Sequence, residues 1–287
     1  RSGTGAPLVL LHALGVSRRS WDPVLPALTS RFDVIAVDLP GFGDSESLPG
    51  PGEVPPAVLA QSVADLLDAL GVSAPHVAGN SLGGWVALEL ASRRPVASLT
   101  LLSPAGLWRQ NTPLYGLISL RASRWLARHA GRLLSRLVAS RLGRALVLGQ
   151  THGHPMRLST EYARAAVTEL GRCPGFEAAL AGTAKRHFIA TGPITAPVTV
   201  AFGSRDLLLL RGSRRLGQLP PQTRSETLPG CGHLPMADDP AAVAALITRT
   251  ATLDSLTIGD REVTVCIGKI PDVTEESGRG WQAKPRT

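Results

Sequence analysis

A chain of 287 residues with 44% hydrophobic and 18% charged residues can hold one large domain with a sizeable core. No uninterrupted apolar run approaches the ~18 residues of a membrane span, so a transmembrane segment is not expected. The net charge of +8 is carried mostly by arginine, but aromatics make up only 4% and no recognition motif accompanies them, so nucleic acid is not an expected partner. Cys173, Cys231 and Cys266 are scattered, which fits a reducing compartment better than a disulfide framework. No signal peptide is visible, so a cytoplasmic location is the expectation, while an opening at Arg1 leaves room for an upstream segment.

In chain order, the hydrophobic pattern predicts strands at 7–11, 32–37, 75–80, 97–103, 197–203 and 224–228. It predicts helices at 56–70, 82–93 and 239–250, with further helices across 107–190. The stretch from Pro49 to Pro56 is rich in Pro and Gly and reads as a surface connection.

The junction between the strand at 75–80 and the helix at 82–93 carries Gly79-Asn80-Ser81-Leu82-Gly83. A Gly-x-Ser-x-Gly in that setting reads as a nucleophile elbow, with Ser81 at its tip. The glycines let strand and helix approach closely, and the first N–H groups of the helix point at the same place. A serine nucleophile needs a base, and the base needs an orienting acid. Asp206 closes the β-branched run Val198–Phe202, and His233 sits on the Gly-rich turn Pro229–His233; each follows a strand. Simpler readings make Asp206 a loop carboxylate paired with Arg205, and His233 a turn residue bonding backbone. Asp38 and Asp44 also follow a strand but precede the serine. Asp238 and Asp239 lie close to His233, and Asp239 suits an N-cap before Pro240.

These stretches, together with "PLVLLHALG" at 7–15, "VIAVDLPGFGDSE" at 34–46, "HVAGNSLGGWVALELA" at 76–91 and "LPGCGHLPMADDP" at 228–240, resemble the α/β-hydrolase fold superfamily. The likeness is to its small esterases, C–C hydrolases and cofactor-free haloperoxidase-like members, and the Ser…Asp…His order matches. The resemblance implies an α/β fold: an eight-stranded, mostly parallel sheet with helices on both faces and a helical cap inserted after the sixth strand. It assigns 1–106 and 191–253 to the core, 107–190 to the cap and 254–287 to a C-terminal extension. By motif position the backbone N–H groups of Leu14 and Leu82 form the oxyanion hole. The usual His-Gly of this loop is here His12-Ala13, and alanine fits poorly if that position requires a positive φ. His12 itself reads as a loop brace. The expected activity is acyl-enzyme hydrolysis of a small or medium, largely apolar carboxylic ester. Cleavage of a C–C bond in a vinylogous diketone and non-catalytic ligand binding are the alternatives.

Trp108, Tyr115, Phe188 and Met236 are candidates for an apolar pocket lining, each with simple core packing as the plainer reading. No metal or organic cofactor is expected: His152-Gly153-His154 lacks nearby carboxylates or thiols to complete a metal site. Between Trp108 and Thr160 arginines are frequent and Asp and Glu are absent. Arg121, Arg124, Arg128, Arg132 and Arg136 recur at helical spacing, with Leu126, Leu133, Leu134 and Leu137 as the apolar counterpart. A solvated face is the plain reading, and attraction to anionic substrates or to a membrane surface the sharper one. The family's two leading strands would precede residue 1, and Leu256–Val265 reads as a hairpin that could replace them beside the strand at 32–37. A loosely attached polar tail is the competing expectation. Nothing in the sequence fixes the oligomeric state.

Overall fold

The computed structural model describes residues 1–253. Six strands form the sheet: β1 (Ala6–Leu11), β2 (Phe32–Val37), β3 (His76–Asn80), β4 (Ser98–Leu102), β5 (Val198–Gly203) and β6 (Arg224–Leu228). Their spatial order is β2-β1-β3-β4-β5-β6 and every neighbouring pair is parallel. The strands stand where the hydrophobic runs place them. The expected number of eight is corrected to six among the described residues. One isolated antiparallel bridge adds to them, in which Ser2 and Val34 exchange hydrogen bonds of 3.0 and 2.7 Å. The outer edge of β2 is therefore engaged at Val34 by the start of the chain, whereas the hairpin expected at 256–266 lies outside the described residues.

Parallel strands buried on both faces need two apolar sets, and period-two alternation supplies them. Val9 and Leu11 of β1 join one core with α2 (Pro56–Ala69), α3 (Leu82–Ala91) and, from the insertion described below, α8 (Phe176–Ala184). Leu8 and Leu10 turn to the other face and pack with α1 (Leu25–Leu28), α9 (Pro235–Asp238) and α10 (Pro240–Thr252). All ten residues of α3 are buried, as a helix that is apolar around its circumference requires. Asp239 accepts the Ala242 N–H at 2.9 Å ahead of Pro240, so α10 begins with the N-cap its sequence implies. The chain leaves β1 towards β2 on one side and leaves β3 towards β4 on the other. The switch point of the sheet therefore lies between β1 and β3, at the loop after β1 and the turn after β3.

Between β4 and β5 the chain inserts α4 (Leu114–His129), α5 (Gly131–Leu137), α6 (Arg141–Leu148), α7 (Thr160–Arg172) and α8. This insertion has a small core of its own, made of Val138, Leu148, Leu158, Ala163 and Val167. It is tied to the connection between β2 and α2 by backbone bonds from Gly175 N to Gly41 O at 2.8 Å and from Val54 N to Ala178 O at 2.9 Å. No helix among the described residues is long and apolar enough to cross a membrane.

The arginines of the insertion do not act as one stripe. Arg124 is buried; its guanidinium donates to the Leu170 carbonyl and, at 2.7 Å, to that of Cys173, and lies over the Phe176 ring. These bonds satisfy carbonyls at the end of α7 that the helix cannot. Arg144 is buried likewise, against the carbonyls of Val138 and Ala139. Arg128, Arg132 and Arg136 are exposed. Each hydrogen bond to a charged group contributes about 1.5–3 kcal/mol. Arg124→Ala should therefore lower stability by about 3 kcal/mol or more in urea unfolding, whereas Arg128→Ala should stay within about 0.5 kcal/mol of the parent.

Candidate active site

Ser81 sits between β3 and α3 with φ 53° and ψ −113°, a conformation that costs a non-glycine residue about 1–3 kcal/mol. Its neighbours hold it there. The Ser81 N–H donates to Leu102 O at 3.0 Å, while its carbonyl accepts from Ala105 N at 2.9 Å and Trp85 N at 3.1 Å. Gly83 is needed for close approach, since a Cβ there would overlap the Leu11 carbonyl. Asn80 adds a link that the motif does not signal: its amide donates to Leu102 O at 2.9 Å and to His233 O at 3.0 Å. The only other non-glycine residue with positive φ among the described residues is Ser103, at the end of the adjacent β4 (φ 43°).

Asp206 and His233, 27 residues apart in sequence, meet at 3.0 Å between Oδ2 and Nδ1. Gly203 makes the meeting feasible: a Cβ there would strike the backbone of Cys231 and Gly232, so only glycine lets the histidine loop cross the end of β5. Arg205 N bonds Cys231 O at 2.8 Å and Ser204 N bonds Leu228 O at 3.0 Å, fixing the two loops together. The other Asp206 oxygen accepts the N–H groups of Leu208 and Leu209, both at 2.9 Å. Burial alone would raise this carboxyl. The charge and hydrogen bond of His233, with the Leu209 N–H, outweigh it and hold Asp206 at about 2. An ionised carboxylate only accepts, so the imidazole proton is assigned to Nδ1. Nε2 is left as a buried acceptor with no partner among the described residues. Arg205 turns away, donating to Gly153 O at 3.0 Å, and the nearest arginine nitrogen to the Asp206 carboxylate is Arg214 Nη2 at 3.9 Å.

Asp238, a poor candidate for the acid because it lies close to His233, has a different task. Its carboxylate accepts from the N–H groups of Gly153 at 2.8 Å, His154 at 2.9 Å and Gly232 at 2.8 Å. Leu234 N also bonds Thr151 O at 2.9 Å. The loop 151–154 of the insertion is thus bound to the histidine loop. His152 is buried there between Thr151 Oγ1 and Tyr162 Oη, both at 3.0 Å, and His154 lies 3.4 Å from an Arg205 nitrogen. Asp38 meets neither His233 nor Asp206: it accepts from Arg18 and from Asp44 N, while Asp44 pairs with the same guanidinium.

His12 is fully buried, accepting the Leu39 N–H at Nε2 (3.0 Å) and directing Nδ1 at the Ala13 carbonyl (2.8 Å). It braces the loop after β1 where Leu14 sits. Ala13 is not among the positive-φ residues, so the alanine in place of glycine is no obstacle; Gly15 takes the left-handed turn instead, at φ 80°. Leu82 is the first residue of α3, so its N–H has no partner inside the helix. The four pocket candidates are not brought together. Trp108 and Phe188 belong to the core on one face of the sheet and Met236 to the core on the other. Tyr115 is half exposed, donating to Leu207 O at 3.1 Å and accepting from Gln150 at 2.9 Å. Trp108 packs edge-on against Trp85 and donates to Arg186 O at 2.7 Å, a core role.

Two measurements test this framework. Asp238→Ala strands three N–H donors at about 1–3 kcal/mol each, so thermal unfolding should drop by several degrees, and Asp238→Asn should recover part of the loss. Burial lowers His12 and His152 to about 4 each, opposed at His12 by the Ala13 carbonyl and at His152 by the charge of Asp238. An unfolded chain binds these protons near pH 6.5 and the folded one near 4, so stability falls as pH drops through that window. Asp206, held at about 2 against an unfolded 3.8, contributes stability above 3.8 that is lost as pH falls towards 2. Urea titrations should show each histidine steepening the decline by up to about 1.4 kcal/mol per pH unit, and His152→Gln should remove about half of that slope.

Residues 8–246 match the model of the alpha/beta hydrolase family. An epoxide hydrolase of Mycobacterium tuberculosis, EphH, is 32% identical over 201 residues, covering 67% of this chain and 92% of that protein. Among solved structures, a hydrolase from Pseudomonas aeruginosa PA01 superposes with a TM-score of 0.69 at 26% identity, covering 87% of this chain and 91% of the other. A thermophilic esterase from Thermogutta terrifontis shares the fold with a TM-score of 0.69 at 23% identity over 88% and 92% of the two chains. With the match spanning the whole sheet and the loops at its carboxyl edge, the chain belongs to the alpha/beta hydrolase family.

Proposed function

We propose that the protein is a serine hydrolase that cleaves a small or medium, largely apolar carboxylic ester through an acyl-enzyme. The observation that carries this reading is the buried His233 imidazole, bonded to Asp206 through Nδ1 and left with an unpartnered Nε2, in a loop tied by Asn80 to the strained Ser81 turn. In the proposed cycle Nε2 takes the Ser81 proton as Oγ attacks the carbonyl carbon. Asp206 stabilises the imidazolium that forms, and the N–H groups of Leu14 and Leu82 receive the oxyanion. The imidazolium returns its proton to the departing alcohol. His233 then deprotonates water, which attacks the acyl carbon, and Ser81 regains its proton as the acid leaves. The insertion α4–α8 is read as the cap that shapes the acyl pocket.

Chemistry favours an acyl substrate over an epoxide, the substrate in the name of one relative. Opening an epoxide with a serine would leave an ether, which offers water no carbonyl to attack. An ester leaves an acyl group that the same machinery can release.

Ser81→Ala should lower kcat for p-nitrophenyl esters by about 10⁶ and abolish fluorophosphonate labelling of the Ser81 peptide. Asp206→Asn should cost about 10⁴ in kcat with little change in KM. Substantial ester turnover by a folded Ser81→Ala protein overturns the assignment.

A further inference from the structure

On the insertion, Arg128, His129, Arg132, Arg136 and Arg172 border one cavity of about 970 Å³, and among the described residues no carboxylate lines it. Among the described residues no acidic side chain pairs with Arg128, Arg132, Arg136 or Arg141, and the nearest acidic contact of Arg121 is Glu177 at 3.8 Å. The buried Arg124 and Arg144 are engaged by backbone carbonyls, so the exposed cations are those that face solvent around this cavity. Unpaired like charges this close repel one another and favour whatever anion covers them.

The same surface is apolar where a merely solvated face would be polar. Trp125 stacks on His129 with ring centroids 5.0 Å apart and is 59% exposed, and Leu133 borders the cavity at 57% exposure. The adjoining α6 adds Leu142 and Leu146, at 73% and 84%. A helix with exposed Leu and Trp interleaved with unpaired Arg has the composition of an interfacial segment. Its cations lie at lipid phosphates and its apolar side chains at the acyl boundary. A free phosphate would leave the leucines and Trp125 uncovered. A second copy docked symmetrically would bring arginines against arginines.

We propose that α4–α6 form a docking surface for an anionic phospholipid bilayer, with Arg128, Arg132 and Arg136 on headgroup phosphates and Trp125 and Leu133 in the interface. The proposal stands apart from the chemistry at Ser81, and its test uses no turnover. The full chain is mixed with vesicles of phosphatidylcholine alone or of phosphatidylcholine with phosphatidylglycerol, and binding is read by flotation. Binding should require phosphatidylglycerol and weaken with added sodium chloride. The triple change Arg128→Gln, Arg132→Gln, Arg136→Gln should lower affinity for the anionic vesicles about a hundredfold. The pair Trp125→Ser, Leu133→Ser should lower it by about tenfold or more. Both variants should keep the parent's melting temperature within a few degrees, so that lost binding is not lost folding. Absence of binding, equal binding to neutral vesicles, or unchanged binding by either variant overturns the proposal. Release by inorganic phosphate beyond that given by chloride at equal ionic strength would assign the cavity to a free anion and overturn it. A dimer in light scattering that the Trp125→Ser, Leu133→Ser change dissociates would assign the face to a second copy and likewise overturn it.

Discussion

The left-handed backbone of Ser81 is the constraint around which the rest is arranged. A serine does not adopt φ 53° unaided, and the fold supplies the compensation. β4 accepts the Ser81 N–H through Leu102 and the turn after β4 donates back through Ala105. The loop after β1 comes close enough that position 83 must be glycine. These contacts come from three segments on both sides of β3. The parallel order β1-β3-β4 is therefore what makes the turn tolerable, and the sheet is a clamp on one dihedral angle as much as a scaffold.

With the serine fixed, the proposed base has to be carried towards it from far along the chain. Gly203 and the backbone bonds between 204–205 and 228–231 bring His233 over the end of β5, and Asp206 orients it from the same loop. Asp238 then fastens the histidine loop to 151–154, so the insertion and that loop share one carboxylate. The Asp206 carboxylate is buried, with one oxygen on His233 Nδ1 and the other satisfied by two N–H groups. Such full satisfaction is what a buried charge needs if it is not to destabilise its surroundings.

Much of this is legible in the chain. Strand positions follow from apolar runs, and the elbow follows from glycines flanking a serine at a strand-to-helix junction. Asp206 and His233 follow from standing just past strands. What stays hidden depends on side chains whose sequence context is mute. Asn80 occupies a position where the motif tolerates any residue, so its amide bridge to the histidine loop has no local signature. Asp238 looks like a helix-turn carboxylate until loop 151–154, more than eighty residues upstream, arrives beside it. Arg124 and Arg136 look alike as members of one helical periodicity, yet one is buried under α7 carbonyls and the other faces solvent. The four aromatic and sulfur-bearing pocket candidates stand out by residue type alone, and type does not tell core from lining.

The Asn80 amide bonds both Leu102 O and His233 O, so the segments that hold Ser81 and His233 are joined by a single planar group. A group bonded to both segments restrains their separation directly, and restrains the position of the pair only through the sheet. In the proposed cycle, proton transfer depends on that relative distance and not on where the pair stands in the molecule. On that reading the bridge acts as a spacer between the proposed donor and acceptor, one that leaves the pair free to shift as a unit.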